Sequence, residues 1–165
     1  MTRRKIAVER VTFVSNRSFD EVLGRLDEGI GRPNFGELSR RMNQAATFAE
    51  YEAVIHGAVG SADLMEFQRL DLGMALRKDP KATAYKIVRI IAGNPLIMKQ
   101  MVEHVPDAGS YAPVTILVYE RKDGVHVSYD TMASYLADCG SEKALQVARD
   151  LDAKVIRLLE DATDA

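Results

Sequence analysis

Three histidines, one cysteine and a few tyrosines carry most of the chemistry available to this sequence. His56, His104 and His126 lie far apart, and no H-E-x-x-H pattern or comparable ligand spacing joins them, so the sequence predicts neither a metal site nor a cofactor. Cys139 lies just before a helical pattern, where an N-terminal dipole could lower a thiol pKa, but no histidine adjoins it in sequence. Ordinary packing accounts for it better than catalysis does. The chain has no G-x-x-x-x-G-K-S/T or G-x-G-x-x-G phosphate loop and no G-x-S-x-G nucleophile elbow. What remains is a polar group that folding could gather: His104 and Tyr111 after a helix, Tyr119, His126 and Ser128 on the outward face of a hairpin, and Asp130 at its end. These six are the candidate ligand-binding residues. The wet side of an antiparallel sheet has the same composition, but a sheet face with two tyrosines, a histidine and no helix to cover it can also form a binding or dimer surface.

The elements that must position them are clearest between Tyr85 and Tyr129. A β-branched strand from Tyr85 to Ile91 places Tyr85, Ile87, Arg89 and Ile91 on one side and Lys86, Val88 and Ile90 on the other, and reads as central. It runs into Gly93-Asn94-Pro95, a corner in which Asn94 can cap the free N–H groups of a helix start and Pro95 takes the first helical position. An anion could compete for that helix start, but Pro95 removes one donor and Asn94 engages others, so the corner is a cap first. The helix from Pro95 presents Ile97, Met98, Met101, Val102 and Val105 on one face until Pro106 stops it.

The hairpin that follows has runs Val114 to Glu120 and Val125 to Tyr129 around Asp123-Gly124. A two-residue loop sets Val118 opposite Tyr129 and Glu120 opposite Val127. Ile116, Val118, Val127 and Tyr129 then share the buried face, and Thr115, Tyr119, Arg121, His126 and Ser128 the other. A four-residue loop keeps that partition. A three-residue loop mixes the faces and is rejected.

Upstream, Ile6 to Val14 reads as a strand with a bulge near Arg10, and Ser18 with Glu21 forms a capping box ahead of Phe19, Val22, Leu23, Leu26 and Ile30. Between Gly31 and Gly60, capping boxes at Asn34/Glu37 and Thr47/Glu50 predict two short helices bearing Phe35, Leu38 and Met42, then Phe48, Tyr51, Val54 and Ile55. Such an insert covers a sheet edge or lids a pocket, and plain packing is the simpler use. Leu64 to Arg77 predicts a strand in which Leu70, Leu72, Met74 and Leu76 alternate; Met65 and Phe67 have the other parity, which a bulge near Gln68-Arg69 reconciles. Gly140-Ser141 opens a last helix to about Asp161, striped by Leu145, Ala148, Leu151, Val155, Leu158 and Leu159.

Gly93-Asn94-Pro95 after a hydrophobic strand, Pro113 before the hairpin, Asp123-Gly124 at its turn, Ser128-Tyr129-Asp130 after it and Tyr135-Leu136-Ala137 beyond resemble an uncharacterised bacterial family, numbered 302 among the domains of unknown function. Ser18-Phe19-Asp20-Glu21 resembles that family's first helix start. The resemblance spans Leu64 to Leu159 and, more weakly, Ile6 to Ile30. It departs from Gly31 to Gly60, where the family has a shorter connection, and at Ala92, where the family has Phe before the corner. It implies an antiparallel sheet flanked by helices and a tendency to dimerise, with no established activity. Together with the patterns above, the expected fold is α+β: an antiparallel sheet of about four to five strands with helices mainly on one face, in the order β-α-(helical insert)-β-β-α-β-β-α.

At 165 residues the chain is expected to be one domain, 1–165, with 31–60 as its helical insert, burying roughly 70% of its unfolded surface without staples. A hydrophobic fraction of 47%, 28% charged residues and a formal charge of −2 argue against nucleic acid as a partner. The short basic lead Thr2-Arg3-Arg4-Lys5 reads as a solvated end. No apolar run approaches the ~20 residues that span a bilayer, no signal-peptide core is present and Cys139 has no partner for a disulfide, so the expected setting is cytoplasmic and away from membranes. Leu70 to Leu76 has no edge protection beyond Asp71 and Arg77, which together with the resemblance predicts a homodimer through the sheet or the insert. The favoured function is a non-enzymatic module binding a small molecule or a protein partner. The alternative is an enzyme using a histidine or Cys139 in a pocket between sheet and helices.

Overall fold

The structure, a computed structural model, describes residues 1 and 3–164; Thr2 of the basic lead lies outside them. The strands are β1 (Arg10–Ser15), β2 (Ile30–Gly31), β3 (Leu64–Asp71), β4 (Ile87–Gly93), β5 (Val114–Arg121) and β6 (Gly124–Asp130). The helices are α1 (Phe19–Gly29), α2 (Phe35–Gln44), α3 (Phe48–His56), α4 (Met74–Lys78), α5 (Pro95–Val102), α6 (Met132–Leu136) and α7 (Glu142–Thr163), with a 3-10 turn at Pro106–Ser110. They form an α+β fold around one sheet of order β1-β6-β5-β4-β3-β2.

The sheet has six strands where four to five were expected, and it is mixed, because Ile30–Gly31 pairs parallel to Leu64–Met65. No periodicity announces a two-residue strand. It exists because two backbones cross closely there: a Cβ on Gly31 would lie 2.1 Å from the Ala58 carbonyl oxygen, and one on Gly60 would lie 2.3 Å from that of Gly29.

The predicted caps set the helix starts, but of the three expected boxes only that of Ser18 is reciprocal, because the Glu37 carboxylate pairs with Arg40 and that of Glu50 takes the Ala46 N–H. Ser18 and Glu21 form the reciprocal box on α1, and Asn34 and Thr47 accept from the N–H groups of Glu37 and Glu50. In β3 the register shifts between Glu66 and Gln68, so Phe67 is the extra residue, just before the expected Gln68-Arg69. β3 then ends at Asp71 instead of running to Arg77. Val88 is the partner of Asp71 and β4 starts one residue earlier, so residues beyond Asp71 have no strand to lie against. The N–H groups of Leu72 and Gly73 both donate to the Ile87 carbonyl, and the chain turns into α4, which Arg77 ties back to Asp71. The leucine alternation there is therefore not a sheet signal, and Leu72 and Met74 are exposed.

Three other boundaries move. β1 begins at Arg10, so the slip near Arg10 marks the strand start and Ile6 to Glu9 stay exposed outside the sheet. β4 begins at Ile87 and runs to Gly93, two residues later than expected at each end. α5 stops at Val102, although Val105 is still buried.

The hairpin pairs Ile116 with Tyr129, Val118 with Val127 and Glu120 with Val125, around a Lys122-Asp123 loop. The pairing is two residues away from Val118–Tyr129, because Gly124 opens β6 instead of sitting in the turn. Gly124 has φ +134°, and a Cβ on it would lie 2.6 Å from the Ser15 carbonyl oxygen. A shift of two leaves parity unchanged, so the expected faces hold: Val118, Val127 and Tyr129 are buried on the face under α7. His126 is on the opposite face, as expected, but is itself only 8% exposed.

The main core lies between the sheet and α1, α5, α6 and α7. A second, smaller core lies on the other side of β3: Leu64 joins the first, while Met65 packs with Leu38, Ile55 and Ala58 of the insert. Helices thus cover one face over most of the sheet, and the insert covers the β3 end of the other.

Candidate functional site

The rest of that second face is open, and a groove of about 490 Å³ runs across it. Its floor comes from outward positions of four strands: Arg10, Ser128 and Asp130, Thr115 and Leu117, and Arg89. Its rim comes from Leu72, Ser110 and Tyr111, and from Tyr135 of α6.

Tyr111 and Tyr135 stack with ring centroids 4.4 Å apart and planes 11° off parallel, giving the groove one flat wall. At the foot of that wall Arg10 grips Asp130 with two charge-assisted hydrogen bonds, Nε to Oδ1 at 2.6 Å and Nη2 to Oδ2 at 2.8 Å. The Arg10 guanidinium holds the Asp130 carboxyl below the usual carboxylate range. The Tyr135 hydroxyl donates to Asp130 Oδ2 at 3.4 Å, and burial, with the Asp130 charge, pushes its phenol up. Across the floor, Arg89 donates from Nη2 to the Thr115 hydroxyl at 3.2 Å, and among the described residues it forms no ion pair.

The rim is anchored from the buried side. Asp152, on α7, takes the Tyr129 hydroxyl on Oδ1 at 2.5 Å and the backbone N–H groups of Met132 (Oδ1, 2.7 Å) and Ala133 (Oδ2, 2.9 Å). One carboxyl therefore joins the sheet, the long helix and the first turn of α6, the helix that carries Tyr135. Burial pushes the Asp152 carboxyl up against the donors that favour its charge, and burial beside Asp152 keeps the Tyr129 phenol protonated.

Of the six candidate residues, Tyr111, Ser128 and Asp130 line this groove. Tyr119 and His126 stack on each other farther along the same face, centroids 5.2 Å apart, with His126 Nε2 2.9 Å from Asp123 Oδ1. His104 is elsewhere, at the end of α5 with Glu103 Oε1 3.7 Å from its Nε2. The sequence reading missed Arg10, Arg89, Tyr135 and Asp152. Arg89 stands alone as a charge within the apolar run Ile87 to Ile91, and Asp152 falls between Ala148 and Val155 on the buried stripe of α7; both were legible as misplaced charges.

At the corner, Asn94 Oδ1 accepts from the Leu96 N–H at 2.8 Å while its Nδ2 donates to Asp63 Oδ1 at 2.9 Å and to the Asp63 carbonyl at 3.2 Å. The cap also fastens the end of the insert. Cys139 is half-buried, its Sγ 3.8 Å from the Tyr135 carbonyl, and the cap of α7 is Ser141. Among the described residues no group of three or more His, Cys, Asp or Glu side chains could hold a metal ion, and no helix is long and apolar enough to cross a membrane.

The family model described as domain of unknown function DUF302 matches residues 39–162. That span takes in part of the insert, which the resemblance left out, and stops short of Ile6 to Ile30, which it included. Among solved structures, the crystal structure of an uncharacterized conserved protein DUF302 from Bacillus stearothermophilus is similar in fold, with a TM-score of 0.64 at 11% identity, over 93% of this chain and 97% of that one. No curated protein matches the sequence.

The Asp152 arrangement gives a signed expectation. Its folded pKa lies above an unfolded value of about 4, so its stabilising contribution is full below about pH 4 and is lost as pH rises through the folded value. Asp152→Asn turns an NH2 donor toward one of the two backbone N–H groups and should cost about 1–3 kcal/mol. In denaturant titrations the wild type's advantage over this variant should be larger near pH 4 than near neutrality. An advantage that grew with pH would contradict the reading.

Proposed function

The chain belongs to the DUF302 family of uncharacterised bacterial α+β domains, and from that premise we propose that it is a non-enzymatic binding module that takes a small organic anion in the open-face groove. The observation that carries this reading is Arg89, a guanidinium on the groove floor whose partner is a neutral hydroxyl, while Arg10 is already matched by Asp130. A carboxylate or phosphate oxygen would complete Arg89 and could reach the hydroxyls of Thr115 and Ser128 as well. The stacked Tyr111–Tyr135 pair offers a flat surface for a planar body, and the volume falls in the range of about 300–1,000 Å³ common for small-molecule sites.

The ionisable groups here suit holding better than proton transfer. Asp130 is kept charged by Arg10 and Tyr135 is kept neutral by burial, so neither is poised near neutral pH. None of His56, His104, His126 and Cys139 lines the groove, so the alternative, catalysis by a histidine or Cys139, draws no support from it. Titration calorimetry against a panel of small carboxylates and phosphates tests the reading. A panel member should bind, and Arg89→Ala should weaken it roughly tenfold or more. Equal affinity for the variant, or no binding across the panel, would overturn it.

A homodimer and a cytoplasmic setting belong to the same reading, the latter supported by the single cysteine. With β3 ending at Asp71, the stretch expected to need a partner is mostly turn and helix. The pairing edge that favours association is β1, which bonds to β6 on one side only and carries Val14, 49% exposed. Light scattering at micromolar concentration should give about twice 18.3 kDa. The mass of a single chain would remove the dimer.

A further inference from the structure

A second cavity, of about 210 Å³, lies against the Gly93-Asn94-Pro95 corner and differs in character from the groove. Tyr51 of α3, Phe67 of β3, Ile97, Met98 and Met101 of α5, and Pro113 form most of its wall. Among the described residues no charged side chain lines it. Its polar side chains are Tyr51 and Asn94, and the Asn94 amide is engaged on both sides, by the Leu96 N–H and by Asp63.

We propose that this cavity is a binding site for a small uncharged hydrocarbon about the size of one aromatic ring. Water held there would find few partners, and apolar cavities of this scale, down to about 150 Å³, stay dry and admit benzene. The cavity follows from two local features. Phe67, the extra residue of the β3 bulge, keeps the parity of Met65 and holds its ring on the insert side, edge-on to Phe35 with centroids 5.5 Å apart. Gly93 leaves the space between Pro113 and Phe67 without a side chain: a Cβ there would lie 3.2 Å from Pro113 Cβ and 3.5 Å from Phe67 Cε2. Met98 and Met101, flexible and polarisable, suit the wall around a ring-sized guest. The absence of a charged lining selects against an anion, so this site does not depend on the groove, although Pro113 and Val114 contribute to both.

Toluene is the probe, with benzoate as its charged counterpart. Methyl NMR spectra of the wild-type chain should show saturable toluene-induced shifts centred on Ile97, Met98 and Met101, and benzoate should leave those signals unchanged. Met98→Trp, checked by circular dichroism for an intact fold, should weaken toluene roughly tenfold or more by filling the space. Absence of saturable shifts, shifts centred on the groove, or undiminished affinity in a folded Met98→Trp would each overturn the proposal. If Met98→Trp does not fold, the wild-type methyl map decides.

Discussion

A buried carboxyl joins the parts of this molecule that have least reason to stay together. Asp152 is 6% exposed, on a helix stripe otherwise made of alanine, leucine and valine, where an unsatisfied carboxyl would cost several kcal/mol. Its three hydrogen bonds offset that cost and have two consequences. The Tyr129 hydroxyl fixes β6 to α7. The N–H groups of Met132 and Ala133 fix where α6 starts, with Thr131 alone between it and the end of β6 at Asp130. α6 has no side-chain cap of its own and spans five residues, too few to be stable alone. Its position sets Tyr135, hence the stack with Tyr111, hence the wall of the open-face groove.

The two faces of the sheet reach different ends. One is sealed by α1, α5, α6 and α7 into a continuous apolar core; the other is partly covered by a helical insert with its own small core. Where the insert meets the Gly93 corner an apolar cavity is left, and beyond the insert lies the polar groove. Ordinary alternation lets one strand serve both cores, with Leu64 in the first and Met65 in the second, and the bulge residue Phe67 adds its ring to the second. Among the described residues, none from the insert lines the groove that carries Arg89, Ser128 and Asp130.

Patterns with a local cause were legible in the sequence. Ser18, Asn34, Thr47, Asn94 and Ser141 each cap the helix that their spacing announces, and the side-chain parity of β4, β5 and β6 reads correctly even though the hairpin pairs two residues from the expected register. What failed depends on partners distant in the chain. β2 exists only because Gly31 and Gly60 let backbones touch, and the leucine alternation past Asp71 lost its meaning once β4 offered nothing to pair with. The candidate site came out in part for the same reason. Tyr111, Ser128 and Asp130 converge because two of them sit on one strand at alternate positions, whereas His104 was grouped with them by sequence proximity and the fold carries it away. Arg10 and Asp130 meet across 120 residues, a pairing that no local pattern encodes.

The most direct test of the central linkage is a double-mutant cycle on Tyr129→Phe and Asp152→Asn, with stability read from denaturant titration near neutral pH. If the hydroxyl and the carboxyl act as one junction between sheet, α6 and α7, the two changes should be non-additive by roughly 0.5–3 kcal/mol. Additivity to within about 0.3 kcal/mol would contradict it, and would leave Asp152 as no more than a cap for α6.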